Sequence, residues 1–245
     1  MYKFSIITVV YNAKEDLVKT VKSILNQTCK DFEQIIIDGG SDDGTADYIK
    51  LLKYNNLRYV SEKDNGIYDA MNKGIELSSG EYLLFLNAGD NFTSNETLEN
   101  IINKLNTITE KPKVIYGGAN VYSENVNLLS ALKPLDLNIK NLNRFATRTV
   151  CHQSIFVHKD SVKRYSNKYR FKGELNWYYD LVNSVNETDI LKLDDIVCDY
   201  YLGGMGDVNF WENYIERIQV TKDHNPLFVF ILNIPFFALP LLFRF

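Results

Sequence analysis

Asp90 lies in the stretch "EYLLFLNAGDNF" (Glu81 to Phe92), in which an apolar run stops on Asn87-Ala88-Gly89-Asp90. An amide and a carboxylate just beyond a buried run supply oxygen donors for a hard cation or a hydrogen-bonding ligand. The same residue types also make ordinary turns. Three other polar clusters stand in similar positions: Tyr11-Asn12 after "FSIITVV", Asp38 at the end of "FEQIIID", and Glu62 to Asn65 after "LRYVS". One such cluster is a turn, whereas several on one edge of a sheet suggest a site. Asp38 could accept a hydrogen bond from the ring N–H of a base. Its turn, "DGGSDDGT" (Asp38 to Thr45), matches neither the G-x-G-x-x-G dinucleotide fingerprint nor a P-loop.

The elements that must position these groups alternate. Strand patterns at "FSIITVV", "FEQIIID", "LRYVS", "EYLLFL" and "KVIYGG" are separated by helical ones. Asn12 and Glu15 are spaced as a capping box before a helix with Leu17, Val21, Ile24 and Leu25 on one face. Ser41 or Asp42 is expected to cap a helix through Tyr48, Ile49 and Leu52. A further helix is predicted from roughly Ile67 to Leu77, and Thr93 with Glu96 should cap one carrying Leu98, Ile101, Ile102 and Leu105. Such alternation predicts an α/β fold with a mainly parallel sheet covered on both faces. In these sheets ligands bind beyond the carboxyl ends of the strands, where the polar clusters fall. The second half is less regular. It offers the strand-like "SIFVH", an aromatic helix "LNWYYDLV", the run "ILKLDDIVCDYY", a loop "GGMGD", and an amphipathic helix through Trp211, Ile215 and Ile218. With no repeat and no long linker, it should complete the same domain.

Composition narrows the class. The 245 residues can bury a sizeable core, and a net charge of -4 argues against nucleic acid as the main partner. Cys29, Cys151 and Cys198 are far apart in sequence and lack metal-ligand spacing, which suggests a reducing compartment and neither a disulfide framework nor a zinc site. The N-terminal apolar run is too short for a secretory signal. The stretch from Pro226 to Phe245 is nearly all apolar but broken by Asn233, Pro235 and Pro240. It reads as a segment lying in the membrane interface rather than a span, with docking on the protein's own core as the alternative.

Taken together, "SIITVVYN", "QTCKDFEQIIIDGGSDDGT", "SEKDNGIYDAMNKGIELSSGEYLLFLNAGD" and "CHQSIFV" resemble the inverting family 2 glycosyltransferases of GT-A fold. The resemblance is to the branch found in bacterial exopolysaccharide and O-antigen synthesis. It covers roughly the first 160 residues and weakens toward residue 206.

The resemblance implies a Rossmann-like GT-A domain, expected over residues 1–224 with a nucleotide-sugar half (1–118) and an acceptor-side half (119–224), and the apolar stretch adds a helical tail at 225–245. The implied donor is a nucleotide-sugar, most often a UDP-sugar. Val9, Tyr11, Asn12 and Asp38 fall where the family contacts base and ribose, and Asp64 and Lys73 lie in the segment bordering nucleotide and sugar. Asn87 and Asp90 match the family's metal motif in reduced form, with Asp90 as the remaining carboxylate for Mg²⁺ or Mn²⁺. His152, in the His-Gln pair, could reach the diphosphate or metal. The general base, an acid near the start of the helix after that pair, corresponds to Glu174, with Asp180 further along and Asn176 where many relatives carry Asp. The flexible segment covering the donor in the family corresponds to Gly203–Gly206.

The expected reaction is transfer of a sugar to a hydroxyl of a glycan or lipid-linked oligosaccharide in surface polysaccharide synthesis, at the cytoplasmic face of the inner membrane. A polyprenyl-phosphate sugar synthase and a catalytically inactive nucleotide-sugar-binding membrane protein are the alternatives.

Overall fold

A computed structural model describes residues 2–123, 125–143, 150–202, 210–227 and 231. The first half alternates as its apolar periods require: β1 (Phe4–Val10), α1 (Lys14–Leu25), β2 (Phe32–Asp38), α2 (Thr45–Leu51), β3 (Leu57–Ser61), α3 (Ile67–Leu77) and β4 (Tyr82–Phe85). A two-residue strand β5 (Asn91–Phe92), α4 (Thr97–Leu105) and β6 (Val114–Tyr122) follow. The remaining elements are β7 (Leu128–Leu132), α5 (Ile139–Asn143), β8 (Ile155–His158), α6 (Gly173–Val182), β9 (Ile190–Tyr201) and α7 (Phe210–Asp223).

All these strands join one sheet in the order β3-β2-β1-β4-β8-β6-β9-β5, with β7 paired to β6. The expectation of a mainly parallel sheet holds for β1 to β4, which pair in parallel, but not for the sheet as a whole. β8 runs antiparallel to both β4 and β6, and β5 and β7 also pair antiparallel, although β6 and β9 are parallel. The sheet is therefore mixed. Strands β8 and β9, from the second half of the chain, flank β6, which itself runs across the 118/119 boundary.

Period-two alternation fills both faces. Ile7 and Val9 of β1 join a core with α3 and α6, including Met71, Leu175 and Trp177. Phe4 and Ile6 point the other way, toward Ile24, Leu98 and Ile101. Close approach of α3 to the sheet requires Gly74, where a Cβ would lie 2.4 Å from Ile7 Cγ2.

Several local expectations differ from the structure. Asn12 does not cap α1. It adopts a φ of 47°, and its side-chain oxygen accepts from Asp42 N–H at 2.9 Å, while Asp43 receives Lys14 N–H at 3.0 Å. Neither Ser41 nor Asp42 caps α2, because Asp43 accepts from both Thr45 N–H and its hydroxyl. Thr93 and Glu96 give way at α4 to a remote acceptor, Gln27 Oε1, which takes Leu98 N–H at 3.1 Å. Helix α7 leaves Trp211 and Ile215 exposed and buries Asn213, Val220 and Thr221 instead.

Among the described residues, no helix is long and apolar enough to cross a membrane. The Pro226–Phe245 segment lies outside the described residues except for Pro226, Leu227 and Ile231, and so does the Gly203–Gly206 loop.

Candidate functional site

The carboxyl ends of β1, β2 and β4 open into a cleft of about 1930 Å³ that extends to the start of α6. Val9, Tyr11, Asp64, Asn87, Asp90, His152 and Glu174 all line it. Asn12, Asp38, Lys73 and Asp180 do not.

One end is a platform. Tyr11 is 66% exposed and lies beside Gly39, where a Cβ would come within 2.6 Å of Asp64 Oδ2 and 3.3 Å of Tyr11 Cδ2. Asp64 also accepts from Gly66 N–H at 2.9 Å, which fixes the loop before α3. An exposed aromatic ring beside bare backbone and a carboxylate suits a planar base and a ribose.

Asp38 differs from its expected role. It is fully buried, and its carboxylate accepts from Ser41 N–H and hydroxyl and, at 2.6 Å, from Ser61 hydroxyl. Ser41 Oγ in turn accepts Asn12 N–H at 2.8 Å. Asp38 therefore shapes the Tyr11-Asn12 turn from beneath, and in this conformation it does not face the cleft. Lys73 is likewise directed away, paired with Glu62 at 2.8 Å.

The second group surrounds Asp90. Its loop folds over Thr20 of α1, whose hydroxyl donates to Asp90 carbonyl at 2.8 Å and accepts Gly89 N–H at 3.0 Å. Gly89 takes a φ of 102°, a region that a side chain disfavours. The Asp90 carboxylate accepts from Gln153 Nε2 at 3.0 Å and from Tyr201 N–H at 3.3 Å. Burial nevertheless dominates and pushes its carboxyl up to about 7. Beside it, Asn87 Oδ1 is buried with no hydrogen-bond partner. Among the described residues no three His, Cys, Asp or Glu side chains converge on a metal position. What exists is a carboxylate and an unsatisfied amide oxygen on an open cleft. That fits a hard cation drawing its other ligands from phosphate and water.

His152 is placed otherwise than expected. It sits in a single 3-10 turn (His152–Ser154) before β8, its Nε2 bonded to Tyr165 hydroxyl and its ring stacked on Phe85 at 5.1 Å. Burial lowers its pKa to about 3, so it is neutral at physiological pH. In the His-Gln pair it is Gln153, not His152, that contacts Asp90.

The third group is at the first turn of α6. Glu174 Oε2 accepts from Tyr68 hydroxyl at 2.5 Å, and Lys172 Nζ lies 3.4 Å from Oε1. The preceding loop is pinned by Glu216 of α7, which accepts the backbone N–H groups of Arg170, Phe171 and Lys172. Asp180 instead accepts from Asn176 Nδ2 at 2.8 Å, away from the cleft. Six residues, about one and two-thirds turns of helix, separate it from Glu174, which turns it toward another face.

Sequence reasoning passed over Thr20, Tyr68 and Glu216. Nothing local marks Thr20 or Glu216, because their partners are remote in sequence. Tyr68 lies in the segment "DNGIYDAMNKG", where nothing local distinguishes its hydroxyl. Cys151 and Cys198, far apart in sequence, meet as free thiols with their sulfurs 3.9 Å apart.

The model of the family described as Glycosyl transferase family 2 matches residues 5–166. The chain belongs to that family. This family 2 glycosyltransferase is 29% identical over 226 residues to a "PGL/p-HBAD biosynthesis glycosyltransferase" of Mycobacterium bovis, a match covering 89% of this chain and 84% of that protein. It is 33% identical over 143 residues to an uncharacterized glycosyltransferase of Rickettsia conorii, covering 57% of this chain and 24% of that protein. Among solved structures it resembles S. aureus TarS 1-349 in complex with UDP-GlcNAc, with a TM-score of 0.70 at 16% identity over 98% of this chain and 71% of that one. It spans only 39% of the longer TarS chain. It also resembles the mannosyltransferase PcManGT of Pyrobaculum calidifontis in complex with GDP-Man and Mn²⁺, with a TM-score of 0.60 at 16% identity, covering 91% and 62% of the respective chains. These structural likenesses establish a GT-A-like fold.

Proposed function

We propose that this glycosyltransferase moves a sugar from a UDP-sugar to a hydroxyl of a glycan or lipid-linked acceptor, with inversion at the anomeric carbon. One observation carries the reading: Glu174 and Asp90, from elements far apart in sequence, line the same cleft as the Tyr11–Gly39–Asp64 platform. The UDP-GlcNAc complex of a structural relative supports the choice of nucleotide.

The platform holds base and ribose. Glu174 accepts the proton of the acceptor hydroxyl while that oxygen attacks the anomeric carbon and the bond to the diphosphate breaks. Asp90 and Asn87 Oδ1 would hold a divalent cation, Mg²⁺ or Mn²⁺, which when bound neutralises charge on the leaving diphosphate. The Mn²⁺ in the mannosyltransferase relative supports this.

Association with the cytoplasmic face of a membrane is part of the proposal. It is supported by the apolar Pro226–Phe245 stretch and by the exposure of Leu227 and Ile231. A second reading, a polyprenyl-phosphate sugar synthase, is favoured by Arg170, Lys172 and Arg217, which line the cleft together with Glu174 and would suit an acceptor phosphate.

The deciding experiment is Glu174→Gln. A hydroxyl acceptor needs the base, so UDP release should fall by roughly 10²- to 10⁴-fold with UDP affinity nearly unchanged. Wild-type turnover in this variant would overturn the hydroxyl-acceptor reading and favour the phosphate acceptor.

A further inference from the structure

A carboxylate that takes a proton during transfer has to be aimed, and Glu174 has three rotatable side-chain bonds at the mouth of a wide cleft. Something must hold it. Tyr68 of α3 reaches it across 106 residues of sequence and donates its hydroxyl to Oε2 at 2.5 Å. Burial and the neighbouring carboxylate push the Tyr68 phenol well above its ordinary pKa, so it stays protonated and remains the donor.

The phenol itself is fixed on several sides. Its ring stacks on Tyr165 at 5.4 Å, and Tyr165 stacks on Trp177 of α6, also at 5.4 Å. Tyr165 is held to α3 by Asn72, whose side chain exchanges two hydrogen bonds with the Tyr165 backbone at 2.8 and 2.9 Å. The Tyr165 hydroxyl bonds His152, and that ring stacks on Phe85 at the end of β4. Trp177 Nε1 donates to Lys163 carbonyl at 2.8 Å. A continuous aromatic column therefore links the strand that leads into the Asp90 loop with the helix that carries Glu174. At its end, Gly173 leaves room for the phenol: a Cβ there would lie 2.5 Å from Tyr68 Cε2 and 2.6 Å from Cζ.

We propose that Tyr68 is a positioning residue for Glu174, holding its carboxylate toward the acceptor through the phenol hydrogen bond, with the Phe85–His152–Tyr165–Trp177 column as its support. This rests on the reading of Glu174 as the general base. His152 gains a role through it, as a neutral strut rather than a ligand of phosphate or metal. A carboxylate oxygen can accept more than one hydrogen bond, so Oε2 keeps capacity for the acceptor hydroxyl while Tyr68 restricts its direction.

The test uses Tyr68→Phe, which keeps the ring and its stacking, and Gly173→Ala, which keeps the hydroxyl but displaces the ring. Both are read by UDP affinity in calorimetry and by UDP release from a panel of UDP-sugars, with water or a simple alkyl glycoside as acceptor. Loss of a hydrogen bond to a charged group should lower kcat roughly ten- to a hundredfold in Tyr68→Phe, with UDP affinity within about twofold. Gly173→Ala should lose turnover in the same pattern. In a Glu174→Gln background, Tyr68→Phe should add less than about twofold, because the two residues act as one unit.

Three results would overturn the proposal while leaving the base assignment standing: full turnover in both variants, UDP affinity falling in step with kcat, or an undiminished effect of Tyr68→Phe when Glu174 is already Gln. Undiminished turnover in Glu174→Gln alone would instead remove the base assignment, and the proposal with it.

Discussion

Replacing Asp90 by Asn isolates the cost of keeping a carboxylate in the floor of the cleft. Burial raises this group from its ordinary 3.8 to about 7. At about 1.4 kcal/mol per pH unit, that corresponds to roughly 4 kcal/mol of stability. The sign follows from the direction. The folded carboxyl holds its proton more tightly than the unfolded one, so its favourable contribution is complete below pH 3.8. It declines as pH rises and is gone above about 7. The metal-free wild type should therefore lose on the order of 4 kcal/mol, relative to Asp90→Asn, between pH 4 and pH 8.

The amide has its own cost, because Gln153 and Tyr201 both donate to this side chain and Asn offers a single acceptor oxygen. That penalty, roughly 1–3 kcal/mol, is independent of pH and cancels from the difference. The assay is thermal unfolding of both proteins with chelator present, across pH 4 to 8. For a chain of this size the gap between the two melting temperatures should change by about 10 °C, with the variant relatively favoured at high pH. In return, Asp90→Asn should lose most Mn²⁺-dependent UDP affinity. Parallel melting curves across this range would refute the desolvated carboxylate. Unchanged UDP affinity with Mn²⁺ would refute the cation site.

Asp180→Asn should retain turnover within about twofold, because Asp180 pairs with Asn176 outside the cleft; a loss matching that of Glu174→Gln would move the base to Asp180. Asp38→Ala should weaken UDP binding roughly ten- to a hundredfold by releasing Ser41 and the Asn12 turn, and UDP should bind better than ADP to the wild type. Equal calorimetric affinities for the two nucleotides would remove the uridine assignment, and unaltered UDP binding in the variant would remove Asp38's role. Deleting residues 226–245 should release the enzyme from vesicles while the remaining domain keeps its cooperative melt. Undiminished sedimentation with vesicles would refute the anchor, and loss of the melt would favour a tail docked on the core.

Much of the first half was legible because its information is local. Phe4–Val10 and Phe32–Asp38 are dominated by Phe, Ile and Val and followed by polar turns, which marks them as strands, and both prove buried along their whole length. Their carboxyl ends followed, and with them Tyr11 and Asp90 on one edge. The sequence also marked Glu174, through its place in a motif. What it could not decide was direction and partnership. Whether a carboxylate at a strand end faces the cleft or the interior depends on which hydroxyls fold against it, and Ser41 with Ser61 turned Asp38 inward. His152 and Gln153 are adjacent in sequence, yet their side chains diverge, one into an aromatic column and the other onto Asp90. The antiparallel insertion of β8 between β4 and β6 is invisible locally, since an apolar run reads alike in either direction. Tyr68 and Glu174 meet only because α3 and α6 pack on the same face of the sheet. Contacts between residues so far apart are set by how the layers stack.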